Sequence, residues 1–459
     1  MRPPNQAARD RLIGLLARRA AQSAPELAGQ LGTSVPTLHR MLQEHAASVV
    51  VTGKARRTRY ALRRPLRGEL APPALYEVDR DGRVELMARL ALVHPEGACM
   101  DLSATGWPLP EESRDGWWDG LPYPLLDMRH QGYMGRQFAR AEHRALAVPA
   151  DPRAWSDDDI VFVLSRMGSD MSGNLILGDA ACERWQRMRV EAAEPLKARA
   201  LGPAYARLAE QAVAAGVPMS SAAGEFPKFS ALRELAGSAT PHVLVKFSGA
   251  DASPSVRRWA DLLIAEHLAL ECAATLPAVA RARSRIVEHG GRTLLEVERF
   301  DRQGEFGRSR LCSLETLDAA LLGDVSTDWT RLAGRLAAAG LIGDDDLKRI
   351  EHLWWYGKLI ANSDMHTGNL SFVPHATLAL APLYDMQPML YAPLPGGEVP
   401  VRDFEPPLPR PERRAHWSVA CAAALLFWNR AAQDARISAP FRRICAANRV
   451  RLQRVAERV

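Results

Sequence analysis

In ANSDMHTGNLSF, residues 361–372, Asp364 precedes Asn369 by five positions, and Asp385 follows sixteen residues later in LAPLYDMQPML. Phosphoryl transfer needs a carboxylate near the attacking hydroxyl. It also needs oxygen ligands for a divalent cation, usually an amide and a second carboxylate. Asp364, Asn369 and Asp385 supply these types in order, and D-x-x-x-x-N is the spacing of a kinase catalytic loop. That spacing also occurs by chance, so its weight depends on what lies upstream. His366 lies inside the loop without an H-E-x-x-H pattern or a second close histidine, which favours a structural role over metal hydrolysis. A serine hydrolase would need a G-x-S-x-G elbow, which the sequence lacks.

Three upstream stretches fit the same chemistry. In HVLVKFSGA (242–250), Val243, Val245 and Phe247 alternate with Leu244 and Lys246. A strand therefore projects Lys246 away from its valines, either as a solvated edge lysine or toward nucleotide phosphates. RRWADLLIAEHLALECAATLP (257–277) is a strongly periodic helix whose Glu266 lies 20 residues after Lys246. A kinase holds its phosphate lysine with a carboxylate from a helix; the alternative is a surface acid. RTLLEVERFDR (292–302) ends an apolar strand in Glu298, Arg299 and Phe300, which suits a hinge whose backbone reads an adenine edge. A fourth stretch, MSSAAGEFPKFSALRE (219–234), places small residues from Ser220 to Gly224 ahead of Lys228. Small side chains let backbone N–H groups approach a phosphate. Without a Walker A pattern, this stretch reads equally as a surface turn.

The elements that must position these groups occupy the second half of 459 residues, a length that suggests two to four domains. The ends differ in charge. Residues 1–68 hold 13 Lys/Arg and 3 Asp/Glu, whereas the remainder holds 46 and 50, so the basic character belongs to the N-terminal segment and points to an acidic partner. In that segment Leu12, Leu15 and Leu16 predict one helix. A second is capped by Ser23 and stopped by Gly32, and a third is started by Ser34 and Pro36. VVVTGKARRTRYALRR then predicts two strands around a basic turn with Gly53 at the bend. This pattern resembles a winged helix-turn-helix. Thr37, Arg40 and Gln43 would meet base edges, and Lys54, Arg56, Arg57 and Arg59 would meet phosphates. The competing reading is a small helical domain for protein contacts with a solvated basic turn.

Residues 69–180 predict strands around 69–102 and an irregular segment packed by tryptophans. A short helix, a polar turn and a strand follow over 160–179. No apolar run approaches the roughly 20 residues of a membrane helix, and the N-terminus lacks an apolar signal core. Six scattered cysteines without a CxxC pair predict reduced, mostly buried thiols in a cytoplasmic protein.

Taken together, SSAAGEFPKFSAL, HVLVKF, LLEVERFDR, ANSDMHTGNLSF and LAPLYDMQPML resemble the HipA family of toxin kinases, with the N-terminal helix-turn-helix of its YjjJ-type branch. The resemblance covers about residues 69–459. It implies an α+β, bilobal protein-kinase-like fold preceded by the small winged helix-turn-helix, with divisions at 1–68, 69–185, 186–302 and 303–459. It implies serine/threonine phosphorylation dependent on ATP and Mg²⁺, with Asp364 catalytic and Asn369 and Asp385 holding the metal. Lys246 would contact ATP phosphates, supported by Glu266. Ala223, Gly224, Glu225, Phe226, Pro227 and Lys228 would form the phosphate loop, and Glu298, Arg299 and Phe300 the adenine hinge. Phe226 and Pro227 make that loop bulkier and stiffer than expected. Members of the family phosphorylate themselves on a serine before this loop's glycine, here Ser221 with Ser220 as substitute. Their targets include aminoacyl-tRNA synthetases, which implies a translation-related protein substrate. DNA binding in the family usually belongs to a separate antitoxin. The fused domain would replace that partner, act in autoregulation or inhibit the kinase in cis, and paired half-sites would imply a homodimer. Two further readings stay open: a transcriptional regulator with a non-catalytic nucleotide-binding domain, and a small-molecule kinase.

Overall fold

A computed structural model describes residues 6–191, 193–214, 226–234 and 237–459. The chain divides into two compact units.

The first unit draws on residues up to 79, 83–129 and 155–190. It opens with helices α1 (Gln6–Arg18), α2 (Ala24–Leu31) and α3 (Val35–Glu44) and strands β1 (Val49–Thr52) and β2 (Arg59–Leu62). Local sequence sets these boundaries. Ser23 and Glu26 form a reciprocal capping box on α2, Gly32 closes it at φ 65°, and Ser34 caps α3. Each cap contributes about 1 kcal/mol. Leu12, Leu16, Leu27, Leu38, Met41, Leu42, Val49 and Tyr60 share one core. β1 and β2 pair antiparallel, Val49 opposite Leu62 and Thr52 opposite Arg59. Gly53 turns the chain at φ 82°, where a Cβ would lie 2.3 Å from the Arg57 carbonyl oxygen, so only glycine fits.

Strands β3 (Ala74–Val78) and β4 (Val84–Arg89) follow, then the short β5 (Ala91–Leu92), β6 (Ala98–Cys99) and β7 (Trp117–Trp118). The next helix, α4 (Gly132–Leu146), belongs to the second unit; α5 (Asp157–Met167), β8 (Leu175–Leu177) and α6 (Asp179–Val190) return to the first. One antiparallel sheet has the order β4-β3-β8. The first turn of α5 carries three aspartates, which suits the positive end of the helix. Two of them bind arginines from the basic segment: Arg64 pairs with Asp158, and Arg67 with Asp159 at 2.8 Å.

The second unit contains two lobes. α7 (Leu201–Ala214) precedes a four-stranded antiparallel sheet of β9 (Lys228–Leu232), β10 (His242–Phe247), β11 (Ser284–His289) and β12 (Arg292–Glu298), in the order β11-β12-β10-β9. The 20-residue helix α8 (Pro254–Ala273) lies between β10 and β11 in sequence. Strand alternation gives the sheet two faces. Val243, Val245 and Phe247 bury against Leu201, Tyr205 and Ala209 of α7, while Lys246 turns to α8.

A short hairpin, β13 (Arg302–Gln303) and β14 (Gly307–Arg308), leads into the helical lobe. That lobe holds β15 (Cys312–Ser313), α9 (Leu314–Leu317), α10 (Trp329–Ala338), α11 (Asp344–Leu359), β16 (Ser371–Pro374), β17 (Leu378–Leu380), α12 (Arg414–Gln433) and α13 (Ala439–Ala456). Its core is aromatic: Trp417, Trp428, Tyr356, Tyr391, Phe427 and Phe441 are buried. Their polar ends find partners, since Trp428 Nε1 donates to Leu359 O and Tyr356 Oη to Ala269 O. Leaving either donor buried and unbonded would cost about 1–3 kcal/mol. All six cysteines are free and buried.

Candidate active site

β10 alternates so that Lys246, 6% exposed, points at α8. This rules out the solvated edge lysine. Its Nζ lies 2.7 and 2.8 Å from the two carboxylate oxygens of Glu266, itself 1% exposed, and 2.5 Å from Asp385 Oδ1. Glu266 is therefore no surface acid. Asp385 adopts φ 51°, a left-handed conformation that aspartate tolerates better than most residues.

The electrostatics follow from burial against pairing. Burial disfavours the Lys246 ammonium, but Asp385 and Glu266 outweigh it and raise the lysine above its ordinary range. Burial raises the Glu266 carboxyl to about 7, against the pull of Lys246. Burial would also raise Asp385, yet Lys246 and Lys228 overcome it and keep that carboxyl below its ordinary value. Lys228 thus acts on the same site. It stands directly opposite Lys246 in the β9–β10 register.

The polar loop begins where α11 ends. Asn362 is buried, and its Oδ1 accepts the Asp364 N–H at 3.0 Å. Asn369 Nδ2 donates to the Asp364 carbonyl at 2.8 Å, so the two ends of D-x-x-x-x-N close on each other. The Asp364 side chain is exposed. His366 Nδ1 accepts from Gly368 N–H at 3.1 Å, capping the turn Thr367–Asn369, as expected of a structural group. Two residues that the sequence did not single out hold this loop from outside. Trp329 Nε1 donates to His366 O at 3.1 Å, and Tyr384 Oη donates to Gly368 O at 2.8 Å.

Glu298 and Arg299 of the expected hinge are already engaged within the protein. The Glu298 and Arg299 amides donate to Arg283 O and His242 O, so any amide offered to a base here comes from beyond Arg299. The Glu298 carboxylate accepts from Arg233 Nη2 at 2.7 Å, and Arg299 pairs with Asp301 at 2.9 Å. The Phe300 ring lies 5.5 Å from that of Tyr384, joining the strand end to the segment that carries Asp385. In the expected phosphate loop, Ser220, Ser221, Ala223, Gly224 and Glu225 lie outside the described residues. Phe226 and Pro227 are buried rather than protruding. The Phe226 ring packs 4.7 Å from Trp259 of α8, and Pro227 O accepts from Phe247 N–H.

No three His, Cys, Asp or Glu side chains converge as a metal cluster among the described residues. The donors that fit a hard cation here are one carboxylate, Asp385, and one amide oxygen. Asn369 spends its Nδ2 on Asp364 O, which leaves Oδ1 as its remaining donor atom. Such a set suits Mg²⁺, which takes few protein ligands and completes its shell with phosphates and water.

In the N-terminal segment, Arg40 and Gln43 lie exposed on α3, and Lys54, Arg56 and Arg57 are exposed in the turn between β1 and β2. Thr37 is half-buried, with its hydroxyl 3.0 Å from that of Ser34. Arg59 turns a guanidinium nitrogen back onto the Arg56 and Thr58 carbonyls. No helix of the described residues is long and apolar enough to cross a membrane.

The profile of the YjjJ-like toxin middle domain matches residues 70–186, and that of the HipA-like C-terminal domain matches 220–447. The chain is 34% identical over 439 residues to the toxin YjjJ of Escherichia coli K12, covering 95% of this chain and 96% of that one. Among solved structures it resembles a chain of the Shewanella oneidensis MR-1 toxin–antitoxin complex of HipA, HipB and operator DNA. The TM-score is 0.50 at 15% identity, over 84% of this chain and 97% of that one.

Proposed function

Because the chain belongs to the HipA-like toxins, in their YjjJ-like branch, we propose that it is a serine/threonine protein kinase dependent on ATP and Mg²⁺. The observation that carries the reading is Lys246, bonded at once to Glu266 and Asp385. His366, in the loop of Asp364 and Asn369, lies close enough to act on the Asp385 charge.

Each residue then has a physical task. Asp364 takes the proton of the target hydroxyl as that oxygen bonds to the γ-phosphorus and the bond to the ADP oxygen breaks. Its exposure leaves room for a protein acceptor. Lys246 and Lys228 meet the phosphate oxygens from one face of the sheet. Glu266, bonded to Lys246, would keep the lysine in place if Asp385 held a metal. Asn369 Oδ1 and Asp385 would hold Mg²⁺, which when bound neutralises phosphate charge. Residues 223–228 would cover the phosphates, and the backbone around Glu298–Phe300 would receive the adenine.

The wider assignment follows the same family. Self-phosphorylation of Ser221 would shut the enzyme down, and the external target would be a translation-related protein such as an aminoacyl-tRNA synthetase. Residues 1–68 would bind DNA through Thr37, Arg40, Gln43, Lys54, Arg56, Arg57 and Arg59, as a homodimer or beside an antitoxin. The test is to incubate the protein with Mg-ATP and map phosphate by mass spectrometry. Phosphate on Ser221 is expected; a chain that stays unmodified and transfers nothing to any protein acceptor would overturn the kinase reading.

A further inference from the structure

The balance of −4 over residues 69–459 conceals a second basic region. Residues 411–459 hold ten Lys/Arg and three Asp/Glu. Within α13 there are five arginines and no acidic residue. Part of this charge is used internally: Arg413 pairs with Glu351 at 2.7 Å, Arg436 with Asp434 at 2.6 Å and Arg451 with Asp403 at 2.7 Å, and Arg449 makes a long contact of 3.5 Å to Asn429.

Exposed arginines flank an apolar groove. α12 and α13 form a helical hairpin, and a cavity of about 520 Å³ opens between their outer faces. Its floor is Leu425, Leu426 and Val450, the last 41% exposed; its rim carries Arg449 and Arg454 with Asn429, Gln453 and one carboxylate, Glu457, which accepts from Gln453 Nε2 at 3.1 Å, so cations outnumber anions there by two to one. Arg443, Val450 and Arg454 are spaced by seven and four residues, so they share one exposed stripe of α13. The stripe runs eleven residues, about 16 Å, or three helical turns.

We infer that this groove docks an acidic amphipathic helix of a partner protein, with an apolar side chain on the Leu425–Leu426–Val450 floor and carboxylates on Arg443, Arg449 and Arg454. Charge complementarity sets the sign of the occupant, and the apolar floor sets its class. A phosphate backbone would meet the arginines but leave the leucines and valine without a partner. An amphipathic helix satisfies both at once. The inference does not depend on phosphoryl transfer.

The test uses the full chain and fluorescein-labelled 18-residue peptides in an anisotropy titration. The first peptide carries glutamates on either side of a leucine stripe at helical spacing. The second replaces the leucines by serine, and the third replaces the glutamates by lysine. A duplex DNA of equal charge is the fourth probe. Val450→Asp and Arg449→Glu/Arg454→Glu alter exposed positions, and unchanged thermal melting checks their fold. The expected result is binding of the first peptide at least about tenfold tighter than the other three probes, lost by about tenfold or more in both variants. Equal binding of the serine peptide or of DNA would reduce the region to a solvated basic face, and binding unaffected by Val450→Asp would place the peptide elsewhere; either overturns the proposal, as does no binding of the first peptide.

Discussion

Lys228 and Lys246 face each other in register across the β9–β10 pair, two cations on one face of the sheet. Like charges directly opposite each other destabilise a strand pair. Glu266 and Asp385 offset that cost, because Lys246 is bonded to both and Lys228 acts on both. The site thus sets two lysines against two carboxylates.

Removing one partner from such a buried set leaves the others uncompensated. Lys246→Met is expected to cost about 3 kcal/mol of stability, because Glu266 is then buried without its cation. Lys246→Met/Glu266→Leu should recover much of that loss while leaving phosphoryl transfer abolished. Urea unfolding of the two variants checks the stability; a double variant no more stable than the single one would contradict the ion-pair account.

Asn362 is buried and holds the backbone of Asp364. Its Oδ1 fixes the Asp364 amide, and displacement of a catalytic group by about 1 Å costs on the order of 100-fold in rate. Asn362→Ala is expected to lower kcat by about 10- to 100-fold with KM for ATP nearly unchanged. Steady-state kinetics separates this from a binding defect, in which KM would rise and kcat would hold.

A pH effect should arise away from the site. His130 stacks on Phe138 at 4.0 Å, and burial lowers its imidazole to about 4 from the ordinary 6.5. The unfolded chain therefore binds this proton more readily than the folded one. Stability is complete above about pH 6.5 and falls as pH drops toward 4, by about 2 kcal/mol for a half-buried ring. Denaturation at pH 7.5 and 5.0 should show a smaller drop in His130→Gln than in the parent, and an equal drop would contradict the assignment.

Much of the site was legible because its determinants are local. The alternation in HVLVKF fixed which way Lys246 points, and the five-residue spacing of Asp364 and Asn369 is closed by a single turn. Asn362 carried a signal that went unread: an asparagine two residues before a loop amide is the pattern of an Asx turn. Trp329 and Tyr384 carried none. They hold the loop through backbone carbonyls, and the tryptophan acts from 37 residues away. β9 was hidden because Phe226 and Pro227 read as part of a loop, whereas burial of Phe226 on Trp259 lets the strand start at Lys228. Charge counting overstated the free cations of the N-terminal segment. Arg64 and Arg67 are paired with aspartates more than ninety residues downstream, and Arg9 with Glu44, pairings that only the fold creates.

The central claim is that Lys246, Asp364, Asn369 and Asp385 form one phosphoryl-transfer centre. Its most direct test is single-turnover transfer from γ-labelled ATP by the parent and by Asp364→Asn, with ATP binding measured on the same samples. The account predicts ATP binding within about threefold of the parent and transfer slower by about 1,000-fold, the loss expected on removing a catalytic base. Equal transfer rates in the two proteins would contradict it.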